Sequence, residues 1–163
     1  MKYKAAIITL SDSRYLGENK DLSKEVISNI LQESNFEVVS YTILPDDFGK
    51  LKKELINQIN NNVNLVVTTG GTGLSPKDIT PEATKAVIDR EILGIMEAVR
   101  ANGLKYTKRA MLTRGVCGIK EKTIILNLPG SPKACKENLE FVLPTLIHGI
   151  ESLLGKVSEC GRK

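Results

Sequence analysis

Tryptophan is absent from this chain, and phenylalanine occurs only three times. A core must therefore be built from aliphatic side chains. Nucleic-acid binding calls for a basic stripe interleaved with aromatics; neither is present, and no nucleic-acid partner is expected. Histidine occurs once, as His148 in an apolar helical stretch, where a structural role is expected and a zinc site would lack ligands. The three cysteines, Cys117, Cys135 and Cys160, lie far apart and form no C-x-x-C pair. That spacing speaks against a metal site or a disulfide framework and for a reduced, cytosolic protein. No apolar run approaches membrane-spanning length, and Met1 leads straight into a strand-like run. No membrane partner and a cytoplasmic location are expected.

What is present fits one globular domain spanning residues 1–163, long enough to bury a core. Hydrophobic residues make up 41% and charged residues 26%. The net charge of +4 suits an anionic small substrate, but a scattered lysine surface explains it equally well.

The order of elements comes from periodicity and punctuation. Tyr3–Leu10 is an apolar, β-compatible run that ends at Ser11–Arg14, and the stretch on to Lys20 is expected to be a loop. Asp21 can cap a helix that carries Leu22, Val26 and Ile30 on one face. Phe36–Leu44 is a second strand, broken by Pro45-Asp46-Asp47, and Phe48, Leu51, Leu55 and Ile59 recur at helical spacing. Leu65–Thr69 is short and continuously apolar, as buried parallel strands are. Thr80-Pro81-Glu82 predicts a helix start with Thr80 as N-cap. A further helix runs from about Ile95 to Gly103. Val116–Ile119 and Thr123–Leu128 follow as strands, and a helix opens near Pro132, where Pro144 predicts a kink or a fresh start. The β-α-β-α-β alternation predicts a three-layer α/β/α sandwich on a mostly parallel sheet.

In open α/β sheets, ligands bind beyond the carboxyl ends of the strands. Four polar segments follow strands here: Ser11–Arg14, Pro45–Asp47, Gly70–Asp78 and Pro129–Lys133. Parallel strands would gather all four on one edge. In TTGGTGLSPKDITPEAT (68–84), Gly70, Gly71 and Gly73 let backbone N–H groups approach a phosphate, while Thr72 and Ser75 add hydroxyls. The bland alternative is a tight strand-to-helix turn, but three glycines in four positions favour the cradle. It is neither a Walker A loop nor G-x-G-x-x-G. Asp78 follows it and Asp46 or Asp47 reaches the same edge. Of that pair Asp47 is the better helix cap and Asp46 the better candidate for chemistry, though periodicity leaves both open. Carboxylates beside an anion cradle repel phosphates unless Mg²⁺ lies between them. Pro129, Gly130, Ser131 and Pro132 form a second turn, equally readable as an anion contact or as a connection with Ser131 as N-cap. Arg14, Lys77 and Arg114 are further candidates for phosphate contact.

Together, the glycine block, LTRGVCGIKEKTIILNLPGSPKA (112–134), ITLSDS and LPDD resemble the molybdenum cofactor biosynthesis family of the Mog and MoaB type, which includes the N-terminal domain of gephyrin. The resemblance runs from about Ala6 to the final helix. It implies adenylyl transfer from Mg·ATP to molybdopterin, with pyrophosphate released, in a homotrimer or hexamer that hands its product to a molybdate-insertion enzyme. It places the two essential aspartates at Asp46 and Asp78, which also become the Mg²⁺ ligands. Substrate and nucleotide contacts fall to Ser11, Asp12, Gly70, Gly71, Thr72, Gly73, Ser75, Thr113, Arg114 and Pro129–Pro132. Two departures stand out: DLSK (21–24) replaces the usual D-x-S-G, and Thr113-Arg114 replaces Ser-Arg. The competing reading is a molybdopterin-binding module without catalysis.

Overall fold

The computed structural model describes residues 1–156. β1 (Tyr3–Leu10), β2 (Phe36–Leu44), β3 (Leu65–Thr69) and β6 (Thr123–Leu128) run parallel, and the six-stranded sheet has the order β2-β1-β3-β6-β5-β4. β5 (Cys117–Lys120) is antiparallel to β6, and β4 (Arg90–Glu91) is antiparallel to β5.

Alternation along the central strands feeds two cores. Ile7, Val67 and Leu126 point to one face and pack with Ile27, Leu31, Leu139 and Val142 of α2 (Leu22–Glu33) and α6 (Pro132–Leu153). Ile8, Val66 and Ile125 point to the other, against Leu51, Leu55 and Ile59 of α3 (Phe48–Asn60). Burying both faces explains why β3 and β6 are buried along their whole length and mostly apolar. The result is the expected three-layer α/β/α arrangement, with α5 (Leu93–Gly103) joining the α2/α6 side and α4 (Thr80–Lys85) the α3 side.

Several local expectations change. Asp12–Tyr15 is a helical turn, α1, rather than loop, because the Ser11 hydroxyl accepts the Arg14 N–H at 3.3 Å. Thr80 is not an N-cap: its buried hydroxyl turns inward and donates to the Gly70 carbonyl at 2.9 Å. α4 has six residues, so its dipole adds little to the glycine loop. α6 is one helix through Pro144, held by Leu139, Val142, Leu143 and Leu146 on its buried side. Proline leaves the Glu140 carbonyl without its helical donor, and Glu140 is exposed to water. His148 is exposed on the same helix, and Cys160 lies outside the described residues. Among the described residues no helix is long and apolar enough to cross a membrane.

The chain switches sides of the sheet between β1 and β3: β1 connects to β2 on one flank, and β3 begins the other. The loops after β1, β2, β3 and β6 therefore meet at one edge, where a crevice forms.

Candidate active site

Gly70 sits directly after β3 with φ +95°, and a Cβ there would lie 2.3 Å from the Leu10 carbonyl oxygen. Only glycine lets the β3 loop pass this close to the end of β1. Gly71 has φ +68°; a Cβ would collide with Thr80 Oγ1 and come within 3.4 Å of Asp46 Oδ1. At Gly73 a Cβ would lie 2.8 Å from Asp78 Oδ2. The missing side chains thus leave room for two carboxylates, one at each end of the glycine loop.

Each carboxylate is placed by local structure. Asp47 caps α3 by accepting the Lys50 N–H at 2.8 Å. That leaves Asp46 facing the site, half-buried, with its N–H donated to Asp12 Oδ1 at 2.9 Å. Asp46 Oδ1 is buried, and no donor reaches it among the described residues. Burial raises the Asp46 pKa, and the charges of Asp12 and Asp78 raise it further. Asp12 is shifted the other way, chiefly by the Asp46 N–H and then by Lys77 Nζ at 3.2 Å. Asp78 Oδ2 accepts the Ser75 N–H at 3.0 Å, closing the turn that carries it.

The Pro129–Pro132 turn lies against this loop, with a Cβ on Gly130 only 3.5 Å from Gly70 Cα. It is tied from three directions: Thr69 Oγ1 donates to the Pro129 carbonyl at 2.7 Å, Cys135 Sγ to the same oxygen at 3.0 Å, and Ser23 Oγ to the Gly130 carbonyl at 2.8 Å. Ser131 caps α6 through the Ala134 N–H, and Pro132 is the first helical residue. Ser11 caps α1 beside Asp12.

Two of the candidate cations already have partners within the protein. Lys77 is paired with Asp12. Arg114 is held against the glycine loop. Its Nε donates to Gly73 O and its Nη2 to Asp78 O, each at 2.8 Å, and Nη1 pairs with Glu82. The Arg114 N–H adds a bond to Thr72 O at 2.9 Å. Arg114 is a strap across the glycine loop, because its fork of donors finds three acceptors there.

Sequence reasoning also missed supporting groups. Asn127 is buried in β6, where it joins Val116 N–H, Thr68 Oγ1 and Thr84 Oγ1. The signal was a lone amide inside an apolar strand. Arg100 holds the carbonyls of Thr113 and Gly115. Ser23 stands in the segment that departs from the usual pattern, yet it is fully buried and bonded to the site. Next to the glycine loop opens a pocket of about 450 Å³ whose walls include Thr72, Gly73, Thr113, Pro129, Ser131 and Asn138.

A glycine loop at a topological switch point, flanked by carboxylates and opening on a mostly apolar pocket, defines an α/β protein with a ligand crevice at the carboxyl edge of its sheet. Comparison with known proteins agrees. A family profile described as "Probable molybdopterin binding domain" matches residues 6–148. The molybdopterin adenylyltransferase of Helicobacter pylori (strain J99) is 38% identical over 160 residues, covering 96% of this chain and 91% of that protein. Gephyrin of Dictyostelium discoideum is 40% identical over 113 residues, 69% of this chain and 16% of gephyrin. The solved structure of the molybdopterin biosynthesis enzyme MoaB from Thermus thermophilus superposes with a TM-score of 0.90 at 42% identity, covering 96% of this chain and 99% of that one. This chain belongs to the molybdenum cofactor biosynthesis family.

Proposed function

We propose that the chain is a molybdopterin adenylyltransferase, transferring AMP from Mg·ATP to the terminal phosphate of molybdopterin. The observation that carries this reading is the pair Asp46 and Asp78, set at opposite ends of a glycine loop with Asp46 Oδ1 buried and unpaired. The relatives' names point the same way.

The attacking phosphate oxygen forms a bond to the α-phosphorus, the bond to the β-bridging oxygen breaks, and pyrophosphate leaves with that electron pair. The nucleophile is already ionised, so no side chain has to remove a proton. What remains for the protein is orientation and charge neutralisation. The Gly70–Gly73 backbone lines the approach, and Arg114 holds that backbone in place.

Mg²⁺ fits these residues. Asp46 carries an unpaired oxygen and a pKa raised by burial and by neighbouring negative charge, and a cation relieves both. Mg²⁺ takes one or two protein carboxylates and keeps water and substrate oxygens around it. Asp46 and Asp78 would hold it, and it would neutralise the phosphate charge between them.

The same reading carries a homotrimer or hexamer, a cytoplasmic location, a single domain across residues 1–163 and delivery of the product to a molybdate-insertion enzyme. The direct test is pyrophosphate release from Mg·ATP with and without molybdopterin. Release that depends on molybdopterin, and is lost in Asp46→Asn and in Asp78→Asn while pterin binding persists, is the expected result. Molybdopterin binding without release would leave a binding module instead.

A further inference from the structure

Thr80 ties the far end of the glycine loop back to its start. Its Oγ1 donates to the Gly70 carbonyl at 2.9 Å, and its backbone N–H donates to the Gly71 carbonyl at 3.1 Å. The chain between these bonds carries Asp78, two residues before Thr80. A Cβ on Gly71 would lie 2.4 Å from Thr80 Oγ1 and 3.4 Å from Asp46 Oδ1, so the hydroxyl and the Asp46 carboxylate flank the same glycine. One residue thus stands between both aspartates and the loop that separates them. Thr80 is fully buried, and Ile79, not Thr80, is the N-cap of α4. Valine would fill the same volume, so neither packing nor capping calls for the hydroxyl.

The same bonds fix how the loop presents its amides. Arg114 holds the next two carbonyls, Thr72 O through its N–H at 2.9 Å and Gly73 O through Nε at 2.8 Å. Every carbonyl from Gly70 to Gly73 is therefore tied to a donor on Thr80 or Arg114. In a trans peptide the N–H lies opposite the carbonyl. The N–H groups of Gly71, Thr72, Gly73 and Leu74 are accordingly turned away from the residue that holds each carbonyl. Successive amides with a fixed direction make a concavity suited to an anion.

We propose that Thr80 is a positioning residue of the adenylyl-transfer site. It sets the direction of the Gly71 and Thr72 N–H groups and the spacing of Asp46 and Asp78, so that loop and carboxylates meet a magnesium-bound nucleotide phosphate together. Thr80 acts only through Gly70 and Gly71. The inference rests on the adenylyltransferase reading for the identity of the ligand.

The test compares Thr80→Val, which keeps the shape and removes the hydroxyl, with Thr80→Ser, which keeps the hydroxyl. Thr123→Val is the control. Thr123 is also buried, and its Oγ1 donates to the Val63 carbonyl at 2.6 Å, at the opposite edge of the sheet. The probe is α,β-methylene-ATP, which cannot be cleaved at the reacting bond, titrated by calorimetry in Mg²⁺. Wild type is expected to bind it, and Thr80→Val to bind it about tenfold or more weakly, the scale of one lost buried hydrogen bond. Thr80→Ser should restore binding to near the wild-type value. Thr80→Val and Thr123→Val should both melt lower by about 2–5 °C, yet Thr123→Val should bind like wild type. Unchanged binding in Thr80→Val, no recovery in Thr80→Ser, an equal loss in Thr123→Val, or no nucleotide binding by wild type each overturns the proposal. If Thr80→Val does not fold, Thr80→Ala decides by the same comparison. Pyrophosphate release by wild type is measured separately. Release from a protein whose nucleotide binding ignores the hydroxyl removes this inference alone. Binding that follows the hydroxyl in a protein that releases no pyrophosphate removes only the transfer reaction.

Discussion

Arg114 holds Asp78 by its backbone, not its charge: Nη2 donates to the Asp78 carbonyl oxygen at 2.8 Å. The carboxylate of Asp78 stays directed at the turn, and the guanidinium spans from there to Gly73 and Glu82. Burial, the largest single influence, would raise the Glu82 pKa, but the hydrogen bond from Arg114, the bond from its own backbone N–H and the charges of Arg114 and Lys85 together lower it. Arg114→Lys keeps the positive charge and loses the fork. Molybdopterin-dependent turnover is expected to fall by about a hundredfold, the scale of a misplacement near 1 Å, while pterin affinity changes little. A KM increase at unchanged kcat would instead make Arg114 an anion contact.

Asp46 links activity to stability in opposite directions. Its folded pKa lies above its ordinary value, first through burial and then through Asp12 and Asp78. A group of this kind stabilises the fold below its unfolded pKa and loses that contribution as pH rises through its folded pKa. At neutral pH the ionised carboxylate is therefore a cost that Asp46→Asn removes. The variant should melt higher than wild type at pH 7, by about 1–3 °C, with the gain fading as pH falls through the carboxylate range. It should also lose turnover by about 10²–10³-fold. Thermal melts at pH 7 and pH 3.5 check the first part, and pyrophosphate release checks the second.

Gly70→Ala places a methyl group 2.3 Å from the Leu10 carbonyl at φ +95°. The neighbour is backbone and cannot swing away. A loss of about 2–3 kcal/mol is expected, which lowers the melting temperature by roughly 4–10 °C. At Gly94 in α5 an added methyl group would meet nothing within 4 Å, and φ is not positive. Gly94→Ala should melt at or slightly above wild type, which makes it the matched control in the same calorimetric series.

Much of this was readable from residue order. β1, β3 and β6 coincide with the apolar runs that announce them, because buried parallel strands need no polar face, and β2, a partly buried edge strand, ends where Pro45 breaks its run. Asp21, Asp47 and Ser131 are caps, as their positions before helical periodicity suggest. β4 was not readable: its two residues, Arg90 and Glu91, are both exposed, and only pairing with β5 makes them a strand. The convergence of four loops could be anticipated, but the use of each side chain could not. Arg114 chooses carbonyls 36 and 41 residues away, and Thr80 turns toward Gly70 instead of capping. Such choices depend on which acceptors the fold brings near. Asn138 shows the same limit, since nothing in a helical pattern marks a buried amide whose oxygen meets no donor among the described residues.

The bond from Ser23 to the Gly130 carbonyl joins residues 107 positions apart. Thr69 reaches Pro129 across 60 positions to hold the same turn. The crevice consequently has no existence in either half of the chain alone. It is complete only when the last strand lies beside β3 and the last helix packs against α2, contacts whose loop-closure entropy is large. A bound substrate thus acts as a clasp between the two ends of the sequence, and its binding energy steadies the whole molecule rather than the loops it touches.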